Sequence, residues 1–199
     1  MSFGDFRIFY LFLCSVLGLI IMSPTLAMFI ELPSGESFSE LWILGSDRMA
    51  EDYPLNVKAG NVYNISLGVV NHMGDLQFYM VCVKFRSQTD SPPNTTTNTP
   101  SPVPSLCTYY VFLRDRNNWE TPLAFSFSNV SRYDHESSIG SLIVNDVSFS
   151  INKSAVWDSV NNGYYYQLFV ELWIFNTRSK AVQFDNRFVS IWLNITEAE

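Results

Sequence analysis

The chain has few of the residues on which enzyme active sites most often depend. Its 199 residues include only two histidines, His72 and His135, and three cysteines. The sequence contains no Gly-x-Ser-x-Gly nucleophile elbow and no glycine-rich phosphate-binding loop. Neither histidine is spaced from other ligand-type residues in a way that resembles a known metal cluster. We therefore expect a protein that is not an enzyme and that has no cofactor.

Charged residues are also scarce, and basic residues are the scarcer kind. They make up 16% of the chain, with 12 Lys and Arg against 19 Asp and Glu, for a net charge of −7. An acidic surface is repelled by the phosphates of nucleic acids and by anionic lipid headgroups. Nucleic acid is therefore not an expected partner.

Aromatic residues are abundant, at 16% of the chain, and they fall in short runs mixed with Val, Ile, Leu, Ser and Thr. This mixture favours strands over helices. Turn signals separate the runs, which predicts all-β structure: an immunoglobulin-like antiparallel β-sandwich of about seven to eight strands. The predicted strands are 40–44, 61–71, 76–86, 107–114, 123–128, 142–151, 164–175 and 188–196.

The run 61–71 has the clearest alternation of apolar and polar residues. It predicts Tyr63, Ile65, Leu67 and Val69 on the core face and Asn64 on the solvent face. Residues 72–75 (His-Met-Gly-Asp) are typical of a turn, which predicts a hairpin with 76–86. That second run is apolar on both faces and indicates a central strand.

Residues 87–106 form a loop rich in Pro, Ser and Thr inside the predicted domain. Its five prolines exclude it from a sheet ladder, so we expect an extended, mobile segment that is open to O-glycosylation. Cys82 and Cys107 flank this loop. They either form a disulfide that closes the loop or remain two free thiols, and the sequence leaves both alternatives open.

The N-terminal part of the chain differs in character from the rest. Residues 8–30 contain no charged residue, and as a helix they would extend about 34 Å, enough for a hydrocarbon core of roughly 30 Å. A cleaved signal peptide ending at Ala27 is the alternative. We favour an uncleaved transmembrane anchor, since the apolar run continues to Ile30. The predicted organisation is a tail at 1–7, the helix at 8–30, a linker at 31–39 and an extracytoplasmic sandwich at 40–199.

Acceptor sequons for N-glycosylation give independent support for an extracytoplasmic domain. Their asparagines are Asn64, Asn94, Asn129, Asn152 and Asn194. The alternation in the last run predicts that Asn194, like Asn64, points outward. We therefore expect a single-pass protein of the cell membrane with most of the chain outside the cytoplasm.

Several segments resemble a family of archaeal membrane proteins, domain-of-unknown-function family 1616. The resemblance is carried by residues 41–45 (LWILG), 50–54 (AEDYP), 68–72 (GVVNH), 119–122 (WETP), 170–173 (VELW) and 191–196 (IWLNIT). It implies an extracytoplasmic domain tethered to a membrane, and it implies no reaction and no catalytic residue. The loop at 87–106 and the region 133–163 look like insertions relative to the family pattern. The single apolar segment also departs from members with more membrane spans.

Two groups of residues are candidates for binding. Asp47, Glu51, Asp52 and Asp75 could supply oxygen ligands for calcium between two loops, or they are solvated loop acids. Trp173 and Trp192 lie among polar neighbours, which favours an exposed aromatic patch that could bind sugars or a protein.

These features predict a non-enzymatic, membrane-anchored module of the cell envelope that acts in structure or interaction. A surface carbohydrate-binding or adhesion module is the alternative hypothesis, and an accessory subunit of a membrane complex is the third. The expected partners are the membrane, through the N-terminal helix, and an envelope protein or a glycan.

Overall fold

The computed structural model describes residues 3–29 and 36–196. The start of the predicted tail, the last residue of the apolar run, most of the linker and residues 197–199 therefore lie outside the described residues. The chain divides into two compact units, Met1–Ser37 and Phe38–Glu199.

The described residues of the first unit form the helix α1, at Phe3–Phe29. In the part of the chain that the structure describes, no helix is both long enough and apolar enough to span a membrane.

The second unit is a sandwich of two five-stranded sheets. The strands are β1 (Phe38–Leu44), β2 (Asn56–Lys58), β3 (Tyr63–His72), β4 (Gln77–Arg86), β5 (Ser105–Leu113), β6 (Asn118–Tyr133), β7 (Glu136–Val144), β8 (Val147–Val156), β9 (Tyr165–Asn176) and β10 (Ala181–Thr196). Sheet A has the order β1-β3-β6-β7-β8 and sheet B the order β2-β10-β9-β4-β5. Neighbouring strands are antiparallel except β2 and β10, which are parallel. The predicted all-β class and two-sheet architecture are thus confirmed.

The core lies between the two sheets, and the predicted phase of β3 is confirmed there. Ile65, Leu67 and Val69 are fully buried, whereas Asn64 is exposed. Each such apolar side chain stabilises the fold by about 1.5–3 kcal/mol on burial. On β4 the inward residues are Tyr79, Val81, Val83 and Phe85. The opposite face of β4 is the one that bears on function.

The predicted hairpin between the second and third runs is wrong, because β3 and β4 lie in different sheets. The buried Asn71 side chain holds this crossover. Its Nδ2 donates to the carbonyl oxygens of Asp75 (2.7 Å) and Leu113 (2.8 Å), and its Oδ1 accepts from Met73 N (2.9 Å) and Tyr79 Oη (3.2 Å). One amide group on β3 therefore links both sheets, and β6 takes the place beside β3.

The predicted strand at 142–151 is also corrected, since it spans a turn between β7 and β8. Asn145 and Asp146 have φ of 46° and 66°, and Asp134 and His135, between β6 and β7, have φ of 46° and 64°. Two successive residues with positive φ favour tight two-residue hairpins that match the strand twist. The division of 142–151 into β7 and β8, together with β2, which lies outside the predicted strands, raises the number of strands in the described residues from eight to ten.

Candidate functional site

The four acidic residues predicted as calcium ligands do not come together. Asp47, Glu51 and Asp52 follow the end of β1, where Leu44 pairs with Ser66. Asp75 follows the far end of β3, beyond the pairing of Phe38 with His72. The length of β1 separates the two groups by roughly 20 Å. Within residues 3–29 and 36–196, no group of three or more His, Cys, Asp or Glu side chains could hold a metal ion.

The two histidines occupy structural positions. The His72 ring stacks on Phe38, with centroids 4.7 Å apart, and its Nε2 lies 3.1 Å from Glu40 Oε1. His135 is exposed in the hairpin turn between β6 and β7. The histidines therefore lie in separate parts of sheet A.

Cys82 and Cys107 are free thiols, which corrects the disulfide alternative. Cys107 pairs with Val83 across β4 and β5, so Cys82 is one residue out of register with it. Because side chains alternate along a strand, the two thiols point to opposite faces of sheet B. Burial raises the pKa of both thiols.

The outer face of sheet B carries an arrangement that the sequence did not reveal. The loop at 87–106 packs over part of this face, with Ser87, Ser101 and Val103 buried. Within the loop, Asn94 and Thr99 exchange two backbone hydrogen bonds of 2.8 and 2.9 Å. The loop is thus a cover with its own structure, and not the free extended segment that its composition predicts.

A buried ion pair lies beneath this cover. Lys84 Nζ is 2.8 Å from Glu171 Oε2 and also donates to the carbonyl oxygen of Ser101 at 2.8 Å. The Ser101 backbone N–H donates to Glu171 Oε1 at 2.7 Å, and Trp173 Nε1 donates to Oε2 at 3.2 Å. Both carboxylate oxygens are therefore occupied in holding the loop.

A second polar cluster fixes the start of the loop. Arg86 Nε donates to Gln167 Oε1, and its Nη1 donates to the carbonyl oxygens of Asp90 (2.7 Å) and Ser87 (3.2 Å). Asp90 Oδ1 accepts from Lys153 Nζ on β8 at 2.8 Å. Burial raises the pKa of the Asp90 carboxyl, but hydrogen bonds from Lys153 and Ser87 outweigh burial and lower it. The charged groups of this face thus hold structure together.

The end of the outer face that the loop leaves uncovered is aromatic. Phe78 on β4 contacts Phe112 and Tyr110 on β5, with ring centroids 4.9 and 6.2 Å apart. Tyr110 is 68% and Phe112 70% exposed. We call Phe78, Tyr110 and Phe112 the aromatic surface. Sequence reasoning missed it, because the run 107–114 is apolar on both faces like the run 76–86, and its position at a sheet edge is not encoded locally.

The two tryptophans predicted to form a patch lie apart. Trp192 pairs with Gln167, six residues along β9 from Trp173, which corresponds to roughly 20 Å. Trp173 packs against Phe184 with centroids 6.0 Å apart. Trp192 is 40% exposed.

Trp192 instead lines a recess of about 450 Å³ together with Gln88, Asp158, Asn161 and Tyr165. The side chain of Asn161 and the backbone N–H groups of Asn161 and Val160 donate to Asp158 and lower the pKa of its carboxyl. The Arg86 guanidinium lies 5.1 Å from the centre of the indole ring. The recess thus combines an aromatic ring with amide and carboxylate groups.

Four of the five sequon asparagines, Asn64, Asn94, Asn129 and Asn152, are exposed. The fifth, Asn194, is half-buried, and both ends of its amide are engaged. Its Oδ1 accepts from Tyr164 N and its Nδ2 donates to Asn56 Oδ1, each at 3.1 Å. The predicted phase of the last run is confirmed, because Ile191, Leu193 and Ile195 are buried in the core and Asn194 lies on the opposite face. Its amide, however, is engaged in linking β10 to its neighbours.

Comparison with known proteins gives a family and distant structural likenesses. A family described as "Domain of unknown function (DUF1616)" matches residues 32–134, which is more than half of the chain. The quoted resemblances at 170–173 and 191–196 lie beyond this match. No curated protein matches the chain.

Two solved structures illustrate the distant likenesses. A β-glucosidase from Listeria innocua has a TM-score of 0.43 at 10% identity, over 81% of this chain and 16% of the enzyme. The chain thus spans only a small part of that enzyme's length. The CARDB domain of a Pyrococcus furiosus protein, solved in complex with di-metal ions, has a TM-score of 0.41 at 9% identity, over 83% of this chain and 94% of that domain.

Proposed function

Because the chain belongs to the DUF1616 family, which is defined without a function, we propose a role from its own surfaces. It is a non-enzymatic interaction module of the cell envelope, anchored in the membrane, with its β-sandwich outside the cytoplasm.

The main support for this proposal is that the outer face of sheet B has one part covered by the loop and another part exposed to solvent. Lys84 and Glu171 form a buried ion pair, Arg86 is buried and hydrogen-bonded, and all three hold the loop at 87–106. Beside them, Tyr110 and Phe112 are left exposed. Exposed aromatic rings on a rigid sheet are typical of binding surfaces, where a few such side chains supply most of the affinity.

The sequence supports the membrane anchor and the extracytoplasmic placement. Residues 8–30 lack charge, and the resemblance to archaeal membrane proteins points the same way. Four sequon asparagines are exposed, as glycan acceptors must be.

The strand order supports an immunoglobulin-like origin for the sandwich. β1, β3 and β6 follow the order of strands A, B and E, and β10, β9, β4 and β5 follow G, F, C and C′. In this scheme the hairpin of β7 and β8 occupies the place of strand D. We infer that the module is an immunoglobulin-like domain with this hairpin added.

Affinity purification of the intact chain from native membranes tests the proposal. We compare the wild type with Tyr110→Lys/Phe112→Lys and with Tyr133→Lys, in which an aromatic residue that is 87% exposed is changed elsewhere. The proposal expects a copurifying component, whether a further copy of the chain, another protein or a glycan, that is lost only from the double variant. Recovery that is independent of both changes would contradict it.

Carbohydrate binding in the Trp192 recess is the second candidate function. A ring that is 40% exposed beside Asp158, Asn161 and Gln88 offers both stacking and hydrogen bonds, the two interactions that a sugar requires. Glycan-array binding by the wild type should disappear with Trp192→Ala and persist with Trp157→Ala, whose ring is 39% exposed outside the recess. Equal binding by both variants would exclude the recess.

A further inference from the structure

Strand β5 is an edge strand of sheet B, and its sequence leaves that edge open. Its nine residues, SLCTYYVFL, contain no charge and no proline. An edge strand presents backbone N–H and C=O groups that can pair with another strand, and proteins commonly block this with charge, proline, a bulge or a short strand.

The other three edges of the sandwich carry such protection. β2 has only three residues, and β1 carries Glu40. β8 carries Lys153 and is disrupted at Asn152, where φ is 43°. β5 has a bulge at its start, where Val83 pairs with Cys107 but Lys84 pairs with Ser105, and from Cys107 to Leu113 it is a regular, uncharged edge. This regular part also carries the exposed Tyr110 and Phe112.

We propose that β5 pairs antiparallel with β5 of a second copy of this chain, about a two-fold axis at Val111. The two five-stranded sheets then form one continuous ten-stranded sheet, and Tyr110 lies opposite the partner's Phe112. The proposal rests on the proposed function, because it names the partner of the same aromatic surface.

A second copy fits this edge for reasons of charge and symmetry. A two-fold pairing brings the same strand to both sides, so an apolar, uncharged edge meets an identical one. The chain carries a net charge of −7, yet this contact places no charged β5 residue against another. No sequon asparagine lies on β4 or β5, so no glycan would be attached to the edge strand or to its neighbour.

The surface area that the dimer can bury determines its expected affinity. Tyr110 and Phe112 from both copies bury roughly 600 Å² between them, at about 150 Å² for each aromatic side chain. Stable complexes bury about 1,200 Å² or more, so the strand backbones must supply the rest and the dimer is weak in solution. Confinement of both copies to one membrane raises their effective concentration and favours the dimer.

Sedimentation of the purified full-length chain in detergent, over a series of concentrations, tests the pairing. We expect a reversible monomer–dimer equilibrium in the wild type and in Tyr133→Lys. Tyr110→Lys/Phe112→Lys keeps α1 but places two like charges on each edge, so its self-association is at least tenfold weaker. Thermal melting verifies that the variants are folded. A monomeric wild type, or a dimer that the double variant retains, would overturn the proposal.

Cysteine cross-linking tests the register. On a Cys14→Ser background, a mixture of Tyr110→Cys chains and Phe112→Cys chains should form a disulfide dimer on mild oxidation, whereas each chain alone should not. Absence of cross-linking in the mixture would overturn the two-fold pairing at Val111.

The two proposals fail in distinguishable ways. If the purified chain stays monomeric while membranes still yield a different component that Tyr110→Lys/Phe112→Lys abolishes, the dimer is wrong and the interaction module stands. If neither experiment responds to the double variant, the interaction surface itself is wrong.

Discussion

Lys84 and Glu171 form an ion pair that is almost completely removed from solvent, with side chains 6% and 0% exposed and Nζ 2.8 Å from Oε2. They lie on neighbouring strands of sheet B, and both also bond to the backbone of Ser101 in the covering loop. The pair therefore ties the loop to the sheet and determines which part of the outer face stays open.

Removing the negative partner alone should strongly destabilise the fold. Glu171→Gln leaves a buried ammonium group without a counter-charge, and breaking such pairs costs about 3–5 kcal/mol. Urea denaturation measures the change in the free energy of unfolding, and Glu51→Gln, at an exposed loop acid, is the control that should differ little from wild type. Lys84→Met/Glu171→Gln should be less destabilised than Glu171→Gln alone. Additive losses in the double variant would mean that the pair does not act as a unit.

The contact between Asp90 and Lys153 should give the loop a pH-dependent attachment. Because the folded-state pKa of Asp90 is lowered, its stabilising contribution is present above the ordinary aspartate value of about 3.9 and is lost as the pH falls through the lower folded value. The pair is partly exposed, so we expect at most about 1 kcal/mol.

Melting temperature measured against pH checks this contact with Lys153→Met. The difference from wild type should be present at neutral pH and should vanish in acid. Lys180→Met, at an exposed turn, should show no such pH-dependent difference. A constant difference at all pH values would show that Lys153 acts through packing alone.

The carboxyl of Asp185 should have the opposite effect on the pH dependence of stability, because its pKa is raised in the folded protein. Burial raises the pKa of its carboxyl against the opposing effects of Ser39 and Arg187. Within the described part of the chain its Oδ2 has no hydrogen-bond partner, and Arg187 Nε lies 3.8 Å away. A raised folded-state pKa favours folding in acid, and this contribution is lost as the pH rises through the folded value. Asp185→Asn should therefore stabilise the protein at neutral pH, with a gain that shrinks in acid. A destabilised variant at pH 7 would contradict this.

The cysteines give a prediction about redox conditions. Since Cys82 and Cys107 point to opposite faces of sheet B, a reducing agent should leave the melting temperature of the wild type unchanged. A fall in melting temperature on reduction would reveal a disulfide.

The sequence predicts local strand structure well where one face of a strand is buried and the other is polar. β3 is the clearest case, because Ile65 and Leu67 enter the core while Asn64 faces solvent. The pattern on β4 is ambiguous for a physical reason: the loop at 87–106 covers the later part of its outer face, where Cys82, Lys84 and Arg86 are buried as well.

Long-range pairing was not predictable from local patterns. The turn after β3 reads as a hairpin, yet the buried Asn71 directs the chain into the other sheet. The turns at Asp134-His135 and Asn145-Asp146 lack glycine, so their positive φ values left no strong signal.

The candidate site also depends on contacts between residues that are far apart in the chain. The exposure of Tyr110 and Phe112 follows from the position of β5 at a sheet edge, which no local pattern encodes. The loop composition predicts an extended segment, but its attachment depends on Lys84 and Glu171, which are 87 residues apart in the chain.

Site-specific photocross-linking in native membranes shows whether the uncovered end of sheet B is the binding surface. A photoreactive phenylalanine replaces Tyr110 in one chain and Tyr133 in another, two aromatic positions that are both exposed. We expect a discrete cross-linked product from position 110, at twice the chain mass if the partner is a second copy, and none from position 133. No product from position 110, or equal products from both positions, would contradict it.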